Sequence, residues 1–405
     1  MSKTKFNRIL IIGGTPEIYE CAGKLGIEVL SIQRPSSLNK DMTRIAFKTF
    51  VFDYEDIKET IKFIETVTKL YPIDCVLTFT EDAQEIAAII NETMGKLGVS
   101  SDLTHLVKDK SKMRDMISDF SHVESKLVKS IDELKVFIEK IGYPVILKPK
   151  DGVGSNGVRL IKDKKEIYTL DLTDEILVEE YLIGKEYSVE SFSFNGTHEV
   201  ISITEKQLFN NDEASRFVEQ AHRVPANIIE SDKELIQKYV KEFLTQINLS
   251  NGPAHTEIML TNKGPKVIET HTRPGGDYIP ELVNLSYGIN LYEMTLNWFV
   301  KEKKTEINTI ANEGAAIKFL RFNPGKVKKI QGLMEASSLK GVIRVELNVK
   351  NGEYINPVTK SRDRSGYIIA VGRDSNEAYD ICEKASNLLE VIYETEEGYC
   401  DFSKC

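Results

Sequence analysis

Short apolar runs alternate with stretches of helical period over residues 1 to about 100. Arg8–Ile12 reads as a buried strand ending at Gly13–Gly14, and a helix over Thr15–Leu25 follows, with Pro16 suited to its first turn. A strand at Glu28–Ile32, a helix near Tyr54–Leu70, a strand at Cys75–Thr78 and a helix near Asp82–Leu97 continue the alternation. That order predicts a small doubly wound domain with a parallel sheet and right-handed crossovers.

The pattern changes near residue 105. Helical stretches at Lys110–Phe120 and Ile131–Ile141 lead into an apolar strand, Pro144–Lys150, then a glycine-rich loop and a second strand. Ile176–Glu180 reads as another strand, and Asp232–Gln246 as a helix. Towards the C-terminus, strands are expected near Ala315–Leu320, Val342–Val349 and Tyr367–Val371, with a helix near Asn376–Tyr393. The chain thus combines α/β and α+β regions.

Length changes the picture first. At 405 residues the chain needs two to four domains or subdomains. A net charge of −9 argues against general nucleic-acid binding, which needs clustered basic charge. The cysteines are Cys21, Cys75, Cys382, Cys400 and Cys405, an odd number without CxxC spacing, as expected of reduced thiols. The first apolar run is too short for a signal peptide, and no segment approaches a membrane span, so a cytoplasmic protein is expected.

The segment from Ala254 to Gly276 carries the most chemistry. Two β-like runs flank Thr261–Pro265, where a three-residue turn centred on Lys263 would set Glu257 opposite Glu269, His255 opposite His271 and Met259 opposite Val267. Opposed carboxylates repel unless a cation joins them. A hard divalent ion such as Mg²⁺ suits such a pair, since it takes a few carboxylates plus phosphate oxygens. A solvated strand face and a His/Glu zinc site are the alternatives that this spacing leaves open.

Lys148 stands on the apolar strand, where an ammonium is costly unless it meets an anion. Directly after it, Asp151–Gly157 contains Gly152, Gly154 and Gly157 with Ser155 and Asn156 between them, a loop whose N–H groups can approach phosphate. It lacks the GKS/T ending of a Walker A loop. The strand before Tyr181 could offer backbone groups to a flat base, with a carboxylate beyond it for ribose hydroxyls.

Taken in order, DKSKMR (109–114), YPVILKPKDGVGSNGV (143–158), VEEYLIGKEYSVE (178–190), HTEIML (255–260) and IETHTRPGGD (268–277) resemble the ATP-grasp superfamily. The resemblance implies a Rossmann-like domain over 1–104, an ATP-grasp domain over 105–300 with a lid subdomain at about 120–185, and a C-terminal α+β lobe over 301–405. It implies ATP and two Mg²⁺ ions, or Mn²⁺ in their place, as cofactors. Lys110 and Lys148 would contact the phosphates, and Gly152, Gly154, Ser155, Asn156 and Gly157 would close over them. Glu179, Glu180, Tyr181 and Leu182 would form the adenine hinge, with Glu186 on the ribose. Glu257 and Glu269 would hold the metal. The family often has Asn two residues after the second Glu, and His271 stands there instead as the candidate third contact. Arg273 would stabilise the transferred phosphoryl group.

Within the superfamily the chain resembles bacterial L-amino-acid ligases. Glu219 and His222, three residues apart in FVEQAHRVP, match a substrate segment of that group. Gly275 and Gly276, after Arg273, would leave room for substrate backbone. The implied activity is amide formation between amino acids through an acyl phosphate, releasing ADP. The expected partners are small molecules, with neither nucleic acid nor membrane, and with a homodimer open. An acyl-carrier-protein ligase and a non-catalytic nucleotide-binding protein are the competing readings.

Overall fold

The computed structural model describes residues 6–152, 154, 156–168, 170, 172, 174–209 and 215–394. Chain contacts divide into two compact units. The first comprises Met1–Gly152, Gly157–Glu205 and Pro225–Asn312; the second comprises Val153–Asn156, Lys206–Val224 and Glu313–Cys405.

In the first unit, the opening alternation produces a parallel sheet. Its strand order is Lys48–Val51, Glu28–Gln33, Arg8–Ile12, Cys75–Thr78. Ile9 to Ile12 are all fully buried, which explains why Arg8–Ile12 reads as a continuous apolar run rather than an alternating one. Ile64, Val67, Ile86 and Ile90, from the helices Ile57–Leu70 and Gln84–Thr93, pack with this sheet. A 3-10 turn, Glu81–Ala83, precedes the second helix where a single helix from Asp82 was expected.

A second, antiparallel sheet has the order Ser125–Val128, Ile176–Glu180, Val145–Lys148, Arg159–Ile161. Its core includes Leu134, Phe137 and Ile138 from helix Ile131–Ile141, whose start is capped by Ser130 and which ends at Gly142, at positive φ.

The third layer of this unit runs Gly264–His271, Gly252–Thr261, Gly184–Phe194 and Thr197–Leu208, the last belonging here as far as Glu205. Tyr187, Val189, Ile203, Ile258 and Val267 on one face pack against Ile236, Val240, Phe243 and Leu244 of helix Glu230–Gln246. Strand alternation therefore turns Ser188, Glu190 and Glu257 to the opposite face, and a bulge at Ile268 brings Glu269 there as well.

The hairpin differs from expectation in one detail. Thr261 pairs with Gly264, so the turn holds two residues, Asn262 and Lys263, instead of three. A bulge at Glu257/Ile258 then adds one residue to the returning strand. Met259 consequently faces Lys266, not Val267, while Glu257 still faces Glu269 and His255 still faces His271.

In the second unit, Glu219–Val224, Gly314–Leu320, Gly366–Gly372 and Val342–Leu347 run antiparallel in that order, with helix Ser375–Ser386 packed on them. The helix expected to reach Tyr393 stops at Ser386. Glu390–Tyr393 is instead a strand, paired with Gly325–Gln331, as the β-branched and aromatic run Val391–Ile392–Tyr393 favours. Among the described residues, no helix is long and apolar enough to cross a membrane.

Candidate functional site

The hairpin rows and a short helix build the centre of the site. Asp109 caps helix Lys110–Met116 by accepting from the N–H groups of Ser111 and Lys112. Lys110 and Arg114 lie one turn apart on its buried face. Lys110 Nζ reaches Glu269 Oε2 at 2.9 Å and donates to the Gly152 carbonyl at 2.6 Å. Arg114 Nε donates to Glu179 Oε1 at 2.7 Å, while its terminal nitrogens donate to the carbonyls of Val267 and Ile268.

Lys148 is fixed by sheet geometry. It pairs with Leu177, and Ile146 pairs with Glu179, so Lys148 and Glu179 are diagonal neighbours on one face. Their charged ends meet at 2.6 Å. Burial opposes the ionised form of Glu179, but Arg114 and Lys148 outweigh it and hold its pKa at about 2. Burial pulls the Lys148 ammonium below its ordinary value; Glu179 offsets this only in part, with Arg114 and Lys110 adding positive charge nearby. Glu179, expected at the start of an adenine hinge, thus commits its side chain to two interior cations. Lys148, expected beside the paired acids, bonds Glu179 instead, and Lys110 is the lysine that touches Glu269.

Around the hairpin each candidate metal ligand has a histidine neighbour. His255 Nε2 lies 3.3 Å from Glu257 Oε1, and His255 Nδ1 contacts Glu190 Oε1. His271 Nε2 lies 3.2 Å from Glu269 Oε1, and its Nδ1 lies 2.9 Å from Glu81 Oε2. Both nitrogens of each ring face carboxylates, so the histidines act as partners of the acids. His271, the candidate third metal contact, thus lies between Glu269 and Glu81. Burial works against both charged rings, yet Glu190 and Glu257 raise His255 to about 9, and Glu269 and Glu81 raise His271. Burial likewise opposes ionisation of Glu269, while Lys110 and His271 hold its carboxyl well below the usual carboxylate range. Glu81 is held at about 2, because His271 and Arg273 outweigh its burial.

The donor set suits magnesium in kind. Two carboxylates face each other in register and supply hard oxygen donors. Next in the same row come Ser188 and Thr204, opposite Glu257 and Ser188 respectively. Both hydroxyls are buried and have no hydrogen-bond partner among the described residues. A polar face of this kind would accept an incoming ion with its oxygen shell. Among the described residues no three His, Cys, Asp or Glu side chains already converge on one point.

Arg273 Nε donates to Glu81 Oε2 at 2.8 Å and its terminal nitrogen to the Pro274 carbonyl at 3.0 Å. Gly275 N–H donates to Glu190 Oε2 at 3.0 Å, and Gly276 has open space around its Cα. Glu180 accepts from Glu124 N–H at 3.0 Å; Tyr181 and Leu182 follow in the loop, and Glu186 is half-buried opposite Met259. Of the phosphate loop, Gly154 and Gly157 have positive φ, Asn156 is exposed, and Val153 and Ser155 lie outside the described residues, as do Cys400 and Cys405. Cys21, Cys75 and Cys382 are buried free thiols.

In the second unit Glu219 lies 3.6 Å from Lys206 Nζ and accepts from Ser361 Oγ at 3.0 Å. His222 is buried, edge-on to Phe319 at 5.7 Å. Three residues apart on a regular strand, the two side chains take opposite faces, so the structure does not bring them together.

Residues 167–281 match the ATP-grasp domain family, and residues 318–394 match L-amino acid ligase C-terminal domain 2. The chain carries an ATP-grasp domain. This ATP-grasp chain is 28% identical over 264 residues to the uncharacterized protein y4rH of Sinorhizobium fredii, covering 62% of this chain and 54% of that protein. The match thus spans about half the length of that relative. It is 22% identical over 327 residues to the L-arginine-specific L-amino acid ligase of Bacillus subtilis, covering 76% and 77% of the two chains. The crystal structure of L-amino acid ligase from Bacillus licheniformis superposes with a TM-score of 0.85, over 97% of this ATP-grasp chain and 100% of that one, at 24% identity, a likeness of fold.

Arg114, Glu81 and Glu190 are the site residues that the motifs did not single out. The four-residue step from Lys110 would have found Arg114. The alternation Tyr187–Ser188–Val189–Glu190 would have placed Glu190 on the polar face. Glu81 carries no such signal, since only folding brings it to Arg273.

Proposed function

We propose that this chain is an ATP-dependent carboxylate–amine ligase that joins L-amino acids through an acyl phosphate and releases ADP and phosphate. The observation that carries the reading is Glu257 facing Glu269 in register, with Lys110 on Glu269. Its support in sequence is the pair of ATP-grasp and L-amino acid ligase domain matches.

In this reading Glu257 and Glu269 hold Mg²⁺, which when bound supplies positive charge to phosphate oxygens. Lys110 and Lys148 exchange part of their carboxylate pairing for ATP phosphates, a natural trade for cations crowded among their own kind. Gly152, whose carbonyl already meets Lys110, lies beside the same phosphates. Arg273 turns from Glu81 to the transferred phosphoryl group and neutralises its charge. The substrate carboxylate oxygen attacks the γ-phosphorus and ADP leaves. The amine then attacks the acyl carbon, phosphate departs, and the amine's proton passes to solvent. Positioning and charge neutralisation do most of the work. Glu219, the more exposed of the two substrate-segment residues, is assigned to amino-acid recognition, with buried His222 on the opposite face of its strand.

The test incubates the purified chain with ATP, Mg²⁺ and pairs of amino acids, and reads ADP, phosphate and coupled products by mass spectrometry. Amide product with stoichiometric ADP is expected. AMP and pyrophosphate in place of ADP would overturn the reading. Changing Glu219 to Ala should alter which amino acids are accepted; an unchanged preference would remove it from the recognition set.

A further inference from the structure

On the polar face, His271, His255 and Glu190 form one cross-strand row, directly beside the row of Glu269, Glu257 and Ser188. Glu190 is 1% exposed and His255 5% exposed, so a charge here needs partners. Glu190 divides its two oxygens between two tasks. Oε1 binds His255 Nδ1, whose ring passes the contact on to Glu257 through Nε2 at 3.3 Å. Oε2 accepts the Gly275 N–H at 3.0 Å, two residues beyond Arg273. One ring nitrogen of His255 meets Glu190 and the other meets Glu257, so one carboxylate fixes the ring against the other. The fit is tight: a Cβ on Gly275 would lie 2.7 Å from His255 Nδ1 and 2.8 Å from Glu190 Oε1.

We infer that Glu190 is a positioning residue that sets the rotamer of Glu257 through His255 and anchors the Arg273–Gly276 segment through Gly275, tying the metal carboxylate to the phosphoryl-binding loop. The inference rests on the reading of Glu257 as a magnesium ligand. Outer partners of this kind orient a ligating carboxylate before the ion arrives. An amide is a poor replacement for Glu190, because its NH2 group would take the place of one accepting oxygen and meet either the imidazole or the Gly275 N–H, the latter donor against donor.

The experiment measures Mn²⁺ binding to the full-length chain with ADP present, by electron paramagnetic resonance of the unbound ion. Glu190→Gln and His255→Gln, each first checked for retained fold by circular dichroism, should weaken Mn²⁺ binding by about tenfold or more. The double variant should bind about as weakly as the weaker single one, since both break one relay. Glu190→Gln should also raise the Mg²⁺ concentration for half-maximal ADP release more than it lowers kcat at saturating Mg²⁺. A folded Glu190→Gln chain that binds Mn²⁺ like the parent overturns the inference; if that variant does not fold, His255→Gln decides by the same criterion. Glu257→Gln separates the two ideas. Binding lost there but intact in the outer variants overturns this inference alone, whereas binding intact in Glu257→Gln overturns the metal reading beneath it.

Discussion

Lys148 and Glu179 sit diagonally on neighbouring antiparallel strands and close an ion pair of 2.6 Å in the protein interior. Arg114 completes the arrangement from the far side at 2.7 Å. One carboxylate therefore answers two buried cations, and the helix, the antiparallel sheet and the hairpin meet at that point.

Removing that carboxylate should be severe. Glu179→Gln leaves two interior cations short of an anion, which costs about 3–5 kcal/mol. Urea unfolding followed by circular dichroism checks the figure. The pH dependence has a definite sign. The folded pKa is depressed from 4.5 to about 2, so the stabilisation is complete above 4.5 and is lost as pH falls towards 2. The variant should lose this acid limb of its stability curve.

Glu269→Gln tests the hairpin acids. The amide no longer pairs with Lys110 as an ion, and it is a poor ligand for a hard cation. ADP release in a coupled assay should drop to background while the circular dichroism spectrum is retained. Full turnover would remove Glu269 from the site.

Arg273→Ala separates binding from chemistry. Glu81 holds the guanidinium at 2.8 Å, beside the hairpin acids. If its charge acts on the transferred group, kcat should fall by about 100-fold with ATP KM little changed. A raised KM with kcat preserved would assign Arg273 to ground-state binding instead.

The two adjacent glycines should respond differently. Gly275→Ala forces a methyl group into His255 and Glu190, a clash that costs about 1–3 kcal/mol and displaces the relay. Gly276→Ala meets nothing within 4 Å, so its stability should change by less than about 0.5 kcal/mol. Thermal melts of the two variants measure the contrast.

Local patterns carried much of the fold. Arg8–Ile12, Cys75–Thr78, Ile131–Ile141 and Ile176–Glu180 have the limits that their apolar periods imply. The hairpin from Gly184 to Leu208 was also legible, since Asn195–Gly196 at positive φ is a strong turn signal between two β-like runs. The strands Gly325–Gln331 and Lys48–Val51 were harder: the first carries lysines at Lys326, Lys328 and Lys329, and the second is only four residues long.

The sequence by itself determined that two glutamates, two histidines and an arginine share one hairpin, because strand period and turn spacing are local properties. It also set Lys148 on an apolar strand and Lys110 at a helix start. Only the tertiary structure decided which cation meets which acid. Lys110 went to Glu269 and Lys148 to Glu179, while Glu81 from a 3-10 turn and Glu190 from the neighbouring strand came to hold the histidines. Buried charges must be neutralised where they come to rest, and that choice depends on distances between elements that no local pattern encodes.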